Sequence, residues 1–206
     1  MDTIVLLITF SAGALAIHHK DRLRHLLPRR DATGSVVTDR TLGLARLTLP
    51  EGWRQAQDLN ESAGIEAIHP AFGRHVIVIS DAVEDFSPEV TMIEHSANTR
   101  RELTNSIQVI GCSGPERRQV AGFEAVQYEI EGYYHQTRVK YLHTTVAGKR
   151  AFHQVLAWST ISRYDRAAFD AVLGGFDEMP DDGSDRAAAV APGPIQIEPV
   201  SKYLIH

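Results

Sequence analysis

Residues 119–176 constrain this chain most. Three runs, FEAVQYEIE, TRVKYLHTTV and RAFHQVLAW, alternate apolar and polar side chains and are separated by Gly132-Tyr133 and Ala147-Gly148. Alternation at period two between turn-forming pairs predicts three antiparallel strands in a meander. A helix then follows from Ser162 to Leu173, with Tyr164, Ala168, Phe169, Val172 and Leu173 on one face and Gly174-Gly175 as its stop. The pattern specifies an architecture and no reaction, because no nucleophile, base, metal-ligand set or phosphate loop sits on it.

If both turns use two residues, Glu131 pairs with Tyr134 and Val146 with Lys149, and side chains sort onto two faces. The apolar face carries Val126, Tyr128, Ile130, His135, Val139, Tyr141, His143, Phe152, Leu156 and Trp158, and helices are expected to cover it. The other carries Gln127 opposite Arg138 and Glu129 opposite Gln136, with Lys140 and His153 nearby. It is read as a solvated face or a contact surface.

The remaining order supports a single domain. LGLARLTLP, GIEAIHP, RHVIVIS and SIQVIG read as strands. Ser87-Pro88-Glu89 starts a helix running to about Thr104, with Val90, Ile93, Ala97, Thr99 and Leu103 as its stripe. At 206 residues, one buried domain plus extensions is expected. The fold class is α+β: one α/β/α sandwich with a mainly antiparallel meander sheet, two principal helices and an N-terminal hydrophobic helix.

Residues 3–17, TIVLLITFSAGALAI, carry no charge and are followed by five cations against one carboxylate in 18–30. The formal net charge is −5, and everything from Asp31 onward sums to −8. An acidic globular part argues against a nucleic-acid surface. A basic flank after the apolar run favours an uncleaved single-pass anchor with the domain in the cytoplasm. The alternative is a secretory segment whose start lies upstream, with export after cleavage, since fifteen helical residues span only about 22 Å. We read 1–30 as the membrane anchor, 31–40 as a linker, 41–178 as the domain and 179–206 as an acidic, Pro/Ala-rich flexible tail.

With this order of elements, the chain resembles the α/β/α-sandwich superfamily of the PsbP extrinsic proteins, the import factor Mog, DcrB-like lipoproteins and Eag-type effector chaperones. The residues that carry the resemblance are Leu49-Pro50-Glu51-Gly52-Trp53, Val120-Ala121-Gly122-Phe123-Glu124-Ala125 and the helix end from Phe169 to Phe176. It spans about residues 43–176 and implies a non-enzymatic assembly factor, chaperone or extrinsic subunit. The lipobox cysteine of the lipoprotein members is absent.

Candidate chemistry is sparse. Cys112 is the only cysteine, so no internal disulfide forms. The ten histidines lack the i,i+4 pairing of a zinc helix, and Asp81, Glu84, Asp85 and Glu89 lack calcium-loop spacing. Gly111-Cys112-Ser113-Gly114 lacks the spacing of a nucleophile elbow. We expect no cofactor, no metal and no catalytic set. The first reading is a membrane-attached protein-binding or assembly module using Glu129, Arg138, Lys140 and His153. The second is a small-molecule binder or hydrolytic protein with a pocket between sheet and helix at Tyr128, His135, Tyr141 and His143.

Overall fold

The computed structural model describes residues 34–180. The segment read as an anchor and all of the tail after Pro180 lie outside the described residues. Among those described, no helix is long and apolar enough to cross a membrane.

Ten strands and two α-helices follow in the order β1 (Val36–Thr38), β2 (Ala45–Thr48), β3 (Arg54–Gln55), β4 (Ile65–His69), β5 (Arg74–Ala82), α1 (Met92–Asn105), β6 (Gln108–Val120), β7 (Phe123–Tyr134), β8 (Thr137–Ala147), β9 (Ala151–Thr160), α2 (Arg166–Leu173) and β10 (Phe176–Glu178). Seven strands form one antiparallel sheet in the order β3-β4-β5-β9-β8-β7-β6. A small second sheet has the order β1-β2-β10. The expected α+β sandwich is therefore present.

The meander forms, with its turns displaced. Tyr134 pairs with Thr137, so the β7–β8 turn is His135-Gln136 rather than Gly132-Tyr133, and His135 takes φ +52. Ala147 pairs with Phe152 at the next turn, and Gly148 N–H donates to the Ala151 carbonyl at 2.9 Å. Gln127 accordingly faces Thr144 and Glu129 faces Leu142, not the partners expected from two-residue turns. The β6–β7 turn places Ala121 at φ +51 and Gly122 at φ +89, both left-handed as tight hairpins require.

Both faces of the large sheet are cores. On one, Ile77, Ile79, Tyr128, Ile130, Tyr141, Leu156 and Trp158 meet Leu103 of α1 and Ile107, which follows its C-cap. On the other, Ala125, Leu142, Val146, Val155 and Ala157 meet Leu47 of β2 and Phe169, Val172 and Leu173 of α2. The face read as solvated or contact-making is thus largely covered. Small and branched residues between its polar positions supply an apolar surface that α2 and the small sheet bury.

Local differences have physical causes. α1 starts at Thr91, whose side chain accepts from Glu94 N–H while Glu94 reaches back, a reciprocal cap that ends the claim of Ser87-Pro88 as the helix start. Its buried stripe is His95, Ser96, Thr99 and Leu103, whereas Ile93 is 40% exposed. The presumed linker contains β1, where Val37 is buried and Asp39 accepts from Thr41 N–H at 2.9 Å. Gly175 does more than stop α2: a Cβ there would lie 2.1 Å from the Thr48 carbonyl oxygen, so only glycine lets this crossing approach β2.

Candidate functional site

The polar residues that the meander directs toward α2 converge on Glu129. Its carboxylate accepts from Lys140 Nζ at 2.7 Å, Tyr164 Oη at 2.9 Å and Arg166 Nη1 at 3.0 Å. Lys140 also lies 4.6 Å over the Tyr164 ring. Burial pushes the Glu129 pKa up, but the hydrogen bonds from Lys140, Tyr164 and Arg166 outweigh it and hold the carboxyl below its ordinary value. Burial, together with that carboxylate, pushes the Tyr164 phenol up.

Arg166 is the first residue of α2, placed there by the N-cap Asp165, whose carboxylate accepts from Ala168 N–H at 3.2 Å. From that position it also contacts Asp170 at 3.3 Å and donates to the Gln127 side-chain oxygen. Arg118 of β6 reaches Asp170 at 3.0 Å and Gln127 at 2.9 Å, and Gln127 donates onward to Thr144 Oγ1 at 2.8 Å. Glu116 approaches Arg166 at 3.6 Å. Three cations face three carboxylates, and the network ties β6, β7, β8 and α2 together.

Beside it a cleft of about 200 Å³ opens between Ser113, Gly114 and Glu116 of β6 and Gln127, Tyr128, Glu129 and Arg166. Drug-sized ligands occupy roughly 300–1,000 Å³. The cleft instead has room for a single side chain. A second hollow, about 330 Å³, runs along Arg117, Arg118 and Gln119 of the same strand toward Met92 and Glu124. Both are lined by β6, the outermost strand of the large sheet, whose residues Gln108–Arg117 are all exposed. Register shifts at Val109/Gly111 and Ser113/Glu116 bend it.

The sequence-derived site residues are only partly brought together. Glu129 and Lys140 sit in the network. Arg138 is paired with Glu131 on the rim, with half of its side chain exposed. His153 is fully buried at the far end of β9, 3.0 Å from Ser80 Oγ and 3.5 Å from the Glu178 carboxylate, so it belongs to no patch with the other three. Sequence reasoning placed Gln127 on the same face as Glu129 without assigning it to the site, and it missed Arg118, Tyr164 and Arg166 as site residues. The Arg166/Asp170 spacing of four on a helix was their only local signal.

The alternative pocket does not form around its four residues. Tyr128, Tyr141 and His143 are packed into the core, while His135 is exposed in the hairpin turn. His143 Nε2 lies 3.1 Å from Thr99 Oγ1 of α1, and burial, with smaller contributions from His95 and Arg100, pushes its pKa down to about 3. Nearby, His95 Nε2 lies 3.2 Å from the Asp81 carboxylate, which also accepts from Gln154 at 2.6 Å. Among the described residues, no group of three His, Cys, Asp or Glu side chains is placed to hold a metal.

No protein-family model matches the chain, and no curated protein sequence matches it. Solved structures do. LpqN of Mycobacterium tuberculosis, described as involved in cell envelope biogenesis, superposes with a TM-score of 0.51 at 15% identity, over 73% of this chain and 88% of that one. A protein of Bacteroides thetaiotaomicron gives 0.52 at 6% identity, over 72% of this chain and 50% of that one. At these identities the likeness is one of fold, an α/β fold consistent with the superfamily resemblance.

Proposed function

We propose that this chain is a membrane-attached, non-catalytic module that binds a protein partner along the β6 margin of its large sheet. The observation that carries the reading is that both hollows lie side by side along one exposed edge strand, one at Ser113–Glu116 and the next at Arg117–Gln119. An edge strand offers backbone groups to an incoming extended segment, and flanking hollows select its side chains. Val109 and Ile110 are 38% and 48% exposed on that strand. The Glu129 network and Arg138 supply a polar rim beside it. LpqN, with the same fold, is associated with cell envelope biogenesis, which supports an envelope setting. Attachment itself rests on the apolar run 3–17 and its basic flank.

The test is crosslinking and affinity capture from solubilised membranes, comparing the full chain with Val109→Lys/Ile110→Lys. Both positions are exposed, so thermal stability is expected to stay within about 0.5 kcal/mol. Partner capture is expected to fall. Unchanged yield of the same partners from a folded variant would move the contact surface away from β6.

A further inference from the structure

The opposite kind of surface occurs where the β4–β5 turn meets the connection from β9 to α2. Phe72 is 49% exposed and Ile161 37% exposed, and neither belongs to a core cluster. Arg74 links them: its guanidinium stacks 4.6 Å from the Phe72 ring centroid, and its Nε donates to the Arg163 carbonyl at 3.0 Å. The Arg163 side chain is in turn folded toward Gly73, where an added Cβ would lie 2.9 Å from Arg163 Nη1. The aromatic ring is backed by His69, with ring centroids 4.8 Å apart. Arg74 and Arg163 lie at this tip, and Arg74 takes up Asp165 at 3.1 Å.

A second observation concerns the point where the chain enters the domain. Gly34, the first described residue, lies against the Leu49 carbonyl, with 2.6 Å separating that oxygen from a Cβ built at Gly34. Leu49 N–H donates to the Ser35 carbonyl at 2.8 Å. The next residues, Pro50 to Gly52, return to His69: a Cβ at Gly52 would be 2.4 Å from His69 Nε2. The segment that carries the apolar run and the basic block therefore joins the fold at the Phe72 end. The β6–β7 turn at Ala121-Gly122 is at the other end of the strands.

From these two observations we infer that the Phe72–Arg163 tip rests on an anionic lipid surface, so that the domain stands with its Phe72 end on the bilayer and its Ala121-Gly122 end away from it. Exposed aromatic and branched side chains beside the exposed Arg163 suit the headgroup boundary, where the apolar parts enter and the guanidinium meets lipid phosphate. The inference rests on the membrane attachment proposed above.

The experiment uses the full chain in a Cys112→Ser background, labelled with an environment-sensitive fluorophore at Phe72→Cys or, as a control, at Ala121→Cys. Vesicles of phosphatidylcholine, with or without a quarter phosphatidylglycerol, are floated first and then read for emission and for quenching by brominated lipid. Failure to float in either composition would overturn the attachment and this inference with it. Flotation with a blue shift and quenching at position 72 but not at 121, larger with phosphatidylglycerol and reduced by Arg163→Glu, is the expected result. Flotation without a shift at 72, or with equal shifts at both positions, leaves attachment standing and overturns the docking of the tip. A tip reserved for a protein partner would give that second outcome.

Discussion

Glu129 and Lys140 are not opposite each other in the β7–β8 ladder, yet their side chains meet at 2.7 Å. Glu129 faces Leu142 and Lys140 faces Glu131, so the ion pair is a diagonal one. Arg138 makes the same diagonal with Glu131. Two successive diagonals of the same sense place a charged row along one strand pair. The two pairs differ in setting, since Lys140 is about one-fifth exposed and Arg138 one-half exposed.

That difference predicts unequal mutants. Arg138→Glu is expected to cost no more than about 1 kcal/mol, because exposed ion pairs contribute little. Lys140→Met should cost about 1.5–3 kcal/mol, since it removes a charged hydrogen bond from a carboxylate that Arg166 and Tyr164 hold in place. Urea unfolding of both variants checks the order. Equal costs would show that the Glu129 network does not discriminate rim from interior.

Acidification should act through His143. Its folded pKa, about 3, lies below the ordinary value of 6.5, so the unfolded chain binds more protons between those limits. Stability contributed by the neutral ring is present above pH 6.5 and is lost as the pH falls toward 3, with a slope of at most about 1.4 kcal/mol per pH unit. Unfolding free energies measured at pH 7 and pH 5 for the native chain and for His143→Gln isolate this contribution. The native chain should lose more stability than the variant over that interval.

Two cores imply two independent large losses. Trp158 stacks on Tyr141 on the α1 side, and Phe169 packs against Trp53 on the α2 side. Trp158→Ala and Phe169→Ala should each cost about 3–5 kcal/mol. Together they approach the whole stability of a domain this size, so the double variant should be unfolded at room temperature by circular dichroism. A mild Phe169→Ala would mean the second face is not a true core.

The cap of α1 gives a smaller effect. Thr91→Ala removes the side chain that accepts Glu94 N–H at 3.2 Å and should lower stability by about 1 kcal/mol. Thr91→Ser should restore most of it in the same thermal or urea titration.

Much of the sheet was legible because side-chain direction has period two. The β7–β8 turn falls three residues later than Gly132-Tyr133 suggested, and the β8–β9 turn is four residues long. Both displacements change the pairing sum by an even number, so Tyr128, Tyr141, His143, Leu156 and Trp158 still share a face. An odd slip would have inverted every one of them. The end of α2 was legible from Gly174-Gly175, and the start of α1 would have been legible from Thr91-x-x-Glu94.

The alternation alone determined which residues travel together. What covers each face was decided by tertiary packing. Gln127, His143 and His153 are polar and yet buried, and long-range neighbours supply partners for Gln127 Oε1 (Arg166 of α2), His143 Nε2 (Thr99 of α1) and His153 Nε2 (Glu178 of β10). The cost of burying a polar group depends on whether a partner is there to pair with it. Those partners lie 25 to 44 residues away along the chain, and no local pattern around Gln127, His143 or His153 announces them.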